Sequence, residues 1–282
     1  WPWRWSCIIR RSRRFSLSVD ALQVAIKAAI KASEIIIDTF GNPEGIEYKS
    51  RVDVVTATDK KCEKEIVSIL RSETPDFGII AEEGTSFPGE KVWIVDPLDG
   101  TTNFSHSYPF CGPSIGLCLG DEVLVGVLAD PFRDELYFAT KGNGAYLNNL
   151  YNTGTPQKLS VTSVDTLHKA LFSSGFPHNK ESQMFKNMLE RFIRLEYESH
   201  SIRKTGSAAL SLAYVASGRI ESYVASGQHS WDMAGGILIV EEAGGKITDF
   251  EGQPYTMSTR EWLVSNGVLH DKLVDLLKIE RV

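Results

Sequence analysis

Two aspartates, Asp96 and Asp99, follow an apolar run and precede a glycine and two threonines. Residues 92–95 have the composition of a buried strand, and the Asp-Pro pair that follows predicts its end. The proline favours an extended conformation for the residue before it, so we expect both carboxylates on a tight turn. Gly100 permits close backbone approach, and residues 101–103 predict a helical turn whose N–H groups can hold an anion. Carboxylates beside an anion site require a cation between them, and Mg²⁺ prefers oxygen ligands of this kind.

An Asp-Pro-x-Asp-Gly segment is also common turn chemistry, and alone it usually marks a solvated surface turn. Two longer motifs favour a functional interpretation. Residues 96–104 read Asp-Pro-Leu-Asp-Gly-Thr-Thr-Asn-Phe, and residues 231–245 read Trp-Asp-Met-Ala-Gly-Gly-Ile-Leu-Ile-Val-Glu-Glu-Ala-Gly-Gly. In these motifs the chain, from about Val19 to its C-terminus, resembles the inositol monophosphatase family. The resemblance implies an α/β fold of the layered αβαβα sugar-phosphatase type and Mg²⁺-dependent hydrolysis of a small phosphomonoester.

The resemblance also implies a role for particular residues. The implied metal ligands, for two or three Mg²⁺ ions, are Glu82, Asp96, the Leu98 carbonyl, Asp99 and Asp232. Asp53 and Thr101 are the implied pair that orients the attacking water. The implied substrate contacts are Asp99, Gly100, Thr101, Thr102, Gly206, Ser207, Ala208 and Asp232.

Several of these positions have an ordinary structural interpretation as well. Asp53 fits a turn, the Glu82-Glu83 pair fits a solvated loop, and Asp232 lies where a helix N-terminus favours an acid. If the four proposed carboxylate ligands were gathered without a cation, they would repel one another and resist ionisation. Two or more Mg²⁺ ions remove that cost, acidify an attacking water and stabilise the leaving oxygen.

The motifs specify phosphomonoester chemistry more firmly than they specify the alcohol. Relatives with the same motifs hydrolyse inositol monophosphates, histidinol phosphate, fructose bisphosphate or phosphoadenosine phosphates, and the Trp-Asp-x-Ala start of the second motif favours the inositol branch. Ala225 stands where many inositol phosphatases carry a glutamate that contacts substrate hydroxyls, which predicts a less selective pocket. A serine hydrolase is the distant alternative, because residues 112–116 match Gly-x-Ser-x-Gly around Ser114. That motif requires a strand, a sharp turn and a helix, whereas strand-like sequence follows Ser114 directly.

Hydrophobic periodicity predicts the elements that position these residues. The predicted helices cover residues 19–40, 59–71 (capped by Thr58), 182–194, 207–216 and 231–243. The predicted strands cover residues 77–81, 92–95, 113–119, 122–129, 135–139, 170–174 and 220–224. The strands after residue 112 form an antiparallel meander, and the alternation in the second half predicts a mixed sheet. We expect a tail at 1–18, a metal- and phosphate-binding lobe at 19–152 and a completing lobe at 153–282.

Composition and charge exclude other classes of function. No apolar run of the sequence is long enough to cross a bilayer, and a net charge of −6 argues against nucleic-acid binding. The four cysteines show neither metal-ligand spacing nor a disulfide framework, which favours free thiols in a reducing compartment. We expect a cytoplasmic enzyme, or an organellar one if the Arg-rich, acid-free residues 1–18 form a transit peptide. The resemblance implies a homodimer. The small molecule that it is expected to bind is a phosphomonoester substrate.

Overall fold

The computed structural model of the chain describes residues 13–48, 54–151 and 154–279, with side chains from Asp20 onward. The helices in this part of the chain are α1 (Arg13–Thr39), α2 (Ala57–Glu73), α3 (Thr101–Ser105), α4 (Gln183–Glu198), α5 (Ala208–Ala216), α6 (Ser230–Glu242) and α7 (His270–Leu277). The strands are β1 (Glu47–Tyr48), β2 (Val54–Val55), β3 (Gly78–Ala81), β4 (Ser86–Phe87), β5 (Lys91–Asp99), β6 (Gly112–Leu119), β7 (Glu122–Asp130), β8 (Glu135–Thr140), β9 (Ala145–Asn149), β10 (Gln157–Lys158), β11 (Leu171–Gly175), β12 (Ser201–Arg203), β13 (Ser222–Ser226), β14 (Lys246–Thr248) and β15 (Glu261–Ser265).

Most strands belong to two large sheets. The first has eight strands in the order β10-β9-β8-β7-β6-β5-β3-β4 and is antiparallel except for the β3–β5 pair. The second has five strands in the order β12-β11-β13-β15-β14, with parallel pairs around β11 and antiparallel pairs around β15. The predicted meander and the predicted mixed sheet are therefore confirmed.

Helices and sheets alternate in five layers. Helices α1 and α2 bury apolar side chains against one face of the first sheet. Helices α5 and α6 fill the space between the two sheets. Helices α4 and α7 cover the outer face of the second sheet. This is the αβαβα order that the resemblance implied. No helix in the described part of the chain combines the length and the apolar character that a membrane span requires.

The first helix packs mainly through alanine, and through Ile35 and Ile36 near its end. It begins at Arg13, before the predicted start, and it buries Ala21, Ala25 and Ala32. The spacing of apolar residues by threes and fours predicts a packing face of Leu22, Ile26, Ala29, Ser33, Ile37 and Phe40, yet Ile37 is 41% exposed. Alanine has no side chain beyond Cβ, so this face lets the helix lie close to the sheet. The predicted helix is confirmed, and its predicted packing face is wrong at Ile37.

Helix α6 packs against the first sheet almost backbone to backbone. A Cβ atom added to Gly126 would lie 2.5 Å from the Gly235 carbonyl oxygen, and one added to Gly116 would lie 2.8 Å from the Ala234 carbonyl oxygen. The small residues of the second motif therefore set the distance between this helix and the sheet. Asp232 lies in the first turn of the helix, so the same packing brings its carboxylate to the end of β5.

The predicted boundary between the lobes falls on residues 152 and 153, outside the described residues. Strand β10 follows that boundary and still pairs with β9 of the first sheet. The division of the chain into two lobes at this point stays a prediction.

Candidate active site

The two aspartates of the first motif lie on a strand and not on the predicted turn. Strand β5 continues to Asp99, and its register against β6 shifts between Asp96 and Asp99. Such a bulge accommodates Pro97, which has no N–H to donate to a neighbouring strand. The Leu98 N–H donates instead to the Asp96 carboxylate at 3.0 Å. The prediction that the strand ends before Asp96 was wrong, and both carboxylates are buried, with exposures of 2% and 8%.

Three carboxylates converge at this end of the first sheet. One oxygen each of Asp96, Asp99 and Asp232 lies within 4.8 Å of the others. The Asp232 carboxylate caps the start of α6, where it accepts the His229 N–H at 2.7 Å. The ordinary structural interpretation of Asp232 as a helix cap is therefore also correct. Two elements that are far apart in the sequence, β5 and α6, thus supply one acidic cluster.

The environment of these acids favours a bound cation. Burial, followed by the charges of neighbouring acids, raises the pKa of Asp96 and Asp232 well above the usual aspartate range. Burial also raises the pKa of Asp99, to about 6, although hydrogen bonds from Ser207 and the backbone of α5 oppose that rise. A hard divalent cation would stabilise the ionised form of all three, and carboxylate oxygens are the ligands that such cations prefer. The donor set therefore fits Mg²⁺.

Two more predicted ligands border the cluster. Glu82 directly follows β3, which pairs in parallel with β5, and a hydrogen bond joins its carboxyl to Asp96. The Leu98 carbonyl accepts the Thr101 hydroxyl at 3.2 Å. Both residues line the same cavity as the cluster. The structure thus brings together every metal ligand that the resemblance implied.

The structure describes only one member of the predicted water-orienting pair, Thr101. Asp53 lies outside the described residues, so its predicted role stays a prediction. The Thr101 hydroxyl donates to the Asp59 carboxylate at 2.8 Å, and Asp59 is fully buried. The sequence predicted Asp59 only as the start of a helix, and its contact with Thr101 was not predicted. Burial raises the pKa of Asp59, against the opposing effect of its hydrogen bonds, which suits a proton acceptor.

Asp59 has a second role at the start of α2. The helix begins at Ala57, and its N-cap is Thr56 rather than the predicted Thr58. Thr56 and Asp59 form a capping box, in which the Asp59 carboxylate accepts the Thr56 N–H at 2.8 Å. One carboxylate oxygen thus serves the cap and the other holds Thr101. An aspartate three residues after a threonine is a known cap pattern, and this signal could have identified Asp59.

The N-terminus of α5 joins the second part of the chain to Asp99. The Ala209 N–H donates to the Asp99 carboxylate at 2.8 Å, and the Ser207 hydroxyl donates to the same oxygen. Gly206 has a φ of +82°, and a Cβ atom there would lie 2.8 Å from the Asn103 side-chain oxygen. Asn103 donates to the carbonyls of Phe110 and Thr205, at 2.7 and 2.9 Å. Asn103 belongs to the first motif, but the sequence predicted no role for it.

The predicted metal ligands and Thr101 open into one cavity of about 600 Å³. Its acidic wall is formed by the predicted metal ligands, together with Gly100, Thr101, Thr102, Gly206, Ser207 and Ala208. A second surface of the cavity includes Gly175 and Tyr223 of the second sheet, together with Gln228, which follows β13. We call this second surface the neutral wall.

Residue 225 lies behind the neutral wall and not on its surface. Ala225 is fully buried and does not line the cavity, whereas the Tyr223 hydroxyl and the Gln228 amide do. Gln228 donates to the Tyr223 hydroxyl at 3.0 Å. A Cβ atom on Gly175 would lie 2.4 Å from that hydroxyl and 3.0 Å from the Ala225 Cβ. A larger side chain at 225 therefore meets filled space before it reaches a substrate.

Ser114 belongs to the packing of the site and not to a hydrolase triad. It lies within β6 with an exposure of 0%, and its hydroxyl donates to the Trp231 carbonyl at 3.2 Å. The strand–turn–helix geometry that exposes a catalytic serine is absent around this residue. The hydroxyl instead fastens the start of α6, which carries Asp232.

Comparison with known proteins agrees with this geometry. The model of the inositol monophosphatase family matches residues 19–281. Inositol monophosphatase 3 of Solanum lycopersicum is 40% identical over 263 residues, which cover 91% of this chain and 96% of that protein. The fructose-1,6-bisphosphatase/inositol-1-monophosphatase of Thermotoga maritima is 33% identical over 261 residues, which cover 92% of this chain and 96% of that protein. The extragenic suppressor protein suhB of Bartonella henselae superimposes with a TM-score of 0.84 at 34% identity, covering 92% of this chain and 98% of that one.

Proposed function

Because this chain belongs to the inositol monophosphatase family and is a metal-dependent phosphomonoesterase, we propose that Mg²⁺ is its metal and that Asp59 and Thr101 activate the attacking water. Its substrate is inositol monophosphate or a similar small polyol phosphate. The observation that carries the proposal is the convergence of Asp96, Asp99 and Asp232 in one cavity.

The metal would be held by the carboxylates of Glu82, Asp96, Asp99 and Asp232 and by the Leu98 carbonyl. Bound Mg²⁺ supplies charge neutralisation for the phosphate and an acidified water. The proposal for Mg²⁺ over softer metals rests on this all-oxygen donor set, which contains no histidine or cysteine.

Thr101 and Asp59 act on the proton of the water. The Thr101 hydroxyl donates to Asp59, so its oxygen keeps lone pairs that can accept a hydrogen bond from a water in the cavity. As the water oxygen attacks phosphorus, its proton passes to Thr101 while the Thr101 proton passes to Asp59. The N–H groups at the start of α3 have no side-chain cap, and they donate to the phosphate oxygens. By resemblance to the family, Asp232 would lie near the departing ester oxygen.

The uncharged polar groups of the neutral wall suit a polyol, and Lys180 and Lys204 line the same cavity. Tyr223 and Gln228 offer hydroxyl and amide groups, which can pair with the hydroxyls of inositol or a sugar. A fructose-1,6-bisphosphatase activity is the second candidate, because the relative from Thermotoga maritima carries both activities in its name. Histidinol phosphate and phosphoadenosine phosphate have no specific observation in their favour.

Phosphate release from a panel of phosphomonoesters tests this function. We expect turnover of inositol monophosphate that requires Mg²⁺, disappears with EDTA and is inhibited by Li⁺. Asp99→Asn keeps an acceptor for the α5 N–H groups but loses the ligand charge, so its turnover should fall by at least ~10²-fold. Asp249→Asn is the matched control, because Asp249 also accepts backbone N–H groups, from Glu251 and Gln253, but in a turn away from the cavity. Near-normal turnover by Asp99→Asn would remove the metal site from the proposal.

Two further parts of the proposal rest on the family alone. We propose a homodimer, which sedimentation velocity would test. For the location we propose the cytoplasm, with an organelle as the alternative if residues 1–18 form a transit peptide, since one relative at 36% identity is named as chloroplastic.

A further inference from the structure

Helix α2 carries two buried carboxylates one turn apart, and each contacts a different segment of the acidic wall. Asp59 accepts the Thr101 hydroxyl after β5. Glu63 has an exposure of 5% and contacts the turn after β3. The function proposed above uses Asp59 but leaves Glu63 without a role.

Glu63 receives three hydrogen bonds from the turn that follows Glu82. The Glu83 N–H donates to one carboxylate oxygen at 2.7 Å. The Thr85 N–H and hydroxyl donate to the other oxygen, at 3.1 and 2.6 Å. A buried carboxylate with three donors makes strong, charge-assisted contacts. These contacts fix the backbone directly after the predicted metal ligand.

The same turn is held on its other side by the first sheet. The Glu82 N–H donates to the Val95 carbonyl at 3.1 Å, and the Ala81 N–H donates to the Thr85 carbonyl at 2.9 Å. Gly84 adopts a φ of +112° between these contacts, a conformation that needs glycine. The backbone that carries Glu82 is therefore held by β5 on one side and by Glu63 on the other.

We propose that Glu63 is a positioning residue that holds Glu82 beside Asp96 and thereby sets the affinity of the metal site. This proposal rests on the metal site of the proposed function. A flexible turn would have to be ordered each time Glu82 binds a cation, and that ordering opposes binding. Glu63 orders the turn in advance. Residues that orient metal ligands in this way typically change the metal affinity by 10- to 100-fold when they are replaced.

A purely structural role for Glu63 makes a different prediction, and the chain contains a matched control. Glu242 in α6 accepts the N–H groups of Gly142 and Gly144, both at 2.6 Å, in the hairpin between β8 and β9. Like Glu63, it is a helix carboxylate that fixes a tight turn through backbone N–H groups. That hairpin does not line the acidic cavity.

The experiment measures Mn²⁺ binding to the metal-free full-length protein by the loss of the free-ion signal in electron paramagnetic resonance. Glu63→Gln should weaken the binding by roughly tenfold. The metal concentration that gives half-maximal phosphatase activity should rise by the same factor. Glu242→Gln should leave the Mn²⁺ affinity at the wild-type value, even where the two substitutions lower the melting temperature equally.

Two outcomes would overturn the proposal, and a second variant replaces Glu63→Gln if that protein does not fold. If Glu63→Gln binds Mn²⁺ as tightly as the wild type, Glu63 is only structural. If Glu63→Gln does not fold, Thr85→Val decides the question, because it removes only the hydroxyl hydrogen bond and must still weaken Mn²⁺ binding measurably. If the wild type binds no more Mn²⁺ than Asp96→Asn, the metal site itself is wrong, which separates failure of the proposed function from failure of this inference.

Discussion

The two walls of the cavity are built in different ways. Each clustered acid of the acidic wall is fixed by a backbone N–H from a different part of the chain. The Leu98 N–H donates to Asp96, the Ala209 N–H donates to Asp99, and the His229 N–H donates to Asp232. The neutral wall has instead one side-chain pair, Tyr223 and Gln228, above close-packed small residues.

This difference separates reaction chemistry from substrate choice. Backbone donors persist when side chains change, so the positions of the acids depend on the fold as a whole. The geometry of the neutral wall depends on a few side chains, each of which can be replaced without moving a metal ligand. Changes to the acidic wall should therefore lower turnover of every substrate, and changes to the neutral wall should alter the ratio between substrates.

The largest effect within this comparison is expected at Thr101. Thr101→Val keeps the shape of the side chain but removes the hydroxyl between the water and Asp59. General-base catalysis typically contributes 10²–10⁴-fold, so we expect kcat to fall by about 10²-fold for all phosphomonoesters alike. Steady-state kinetics on inositol phosphate and glycerol phosphate measures this fall.

Thr101→Ser is the matched control, because it retains the hydroxyl, and it should keep most of the activity. Asp59→Asn is less informative, since Asp59 also caps α2 and its loss lowers stability. A Thr101→Val variant with normal turnover, or one that affects the two substrates differently, would contradict the separation of the two walls.

The contrast between the walls also describes what the sequence could predict. Asp96, Asp99 and Asp232 stand in two long motifs, and the resemblance identified them before any contact was known. The five-layer order and the antiparallel meander followed from the same resemblance and from regular turn signals. The identities of the acids are recorded directly in local motifs, whereas the layer order came from the resemblance alone.

Features that depend on contacts between distant residues were missed. Asp59 lies in the same Val-Thr-rich part of the sequence as Asp53, and the role proposed for it depends on a contact with Thr101 across 42 residues. The role of Glu63 likewise depends on a turn 20 residues away. Ala225 was interpreted as part of the pocket wall, because the sequence does not show that Gly175 and Tyr223 enclose it.

A smaller effect is expected at the neutral wall. Tyr223→Phe and Gln228→Leu each remove polar groups that can pair with substrate hydroxyls, while the metal ligands stay in place. A neutral hydrogen bond contributes about 0.5–1.5 kcal/mol, so each variant should reduce the preference for inositol phosphate over glycerol phosphate by roughly 2- to 12-fold. The measurement is the ratio of kcat/KM for the two substrates.

Ala225→Glu serves as the contrasting variant for the neutral wall. Its side chain has no space at the fully buried position, so it should lower stability without a gain in selectivity. If Ala225→Glu instead raises the preference for inositol phosphate, the wall rearranges and residue 225 does contact the polyol. An unchanged ratio in both Tyr223→Phe and Gln228→Leu would show that another surface selects the substrate.

The smallest effect on turnover is expected from His270, which lies behind the sheet that carries the neutral wall. Its ring bonds to Thr248 and Ser265 at 2.9 and 2.8 Å, and burial lowers its pKa from 6.5 to about 4. The unfolded chain binds a proton on His270 below pH 6.5 while the folded protein does not, so its contribution to stability is full above pH 6.5 and is lost as the pH falls towards 4. At pH 5 the loss should be about 2 kcal/mol.

Urea unfolding at pH 7 and pH 5 should therefore show a smaller pH effect in His270→Gln than in the wild type, with the exposed His168→Gln as control. Turnover at pH 7 should be unchanged, because helix α7 and the Tyr223 side chain lie on opposite faces of the second sheet. An equal loss of stability in His270→Gln and the wild type would exclude His270 as the source, and a change in the substrate ratio would show that the outer layer does shape the neutral wall.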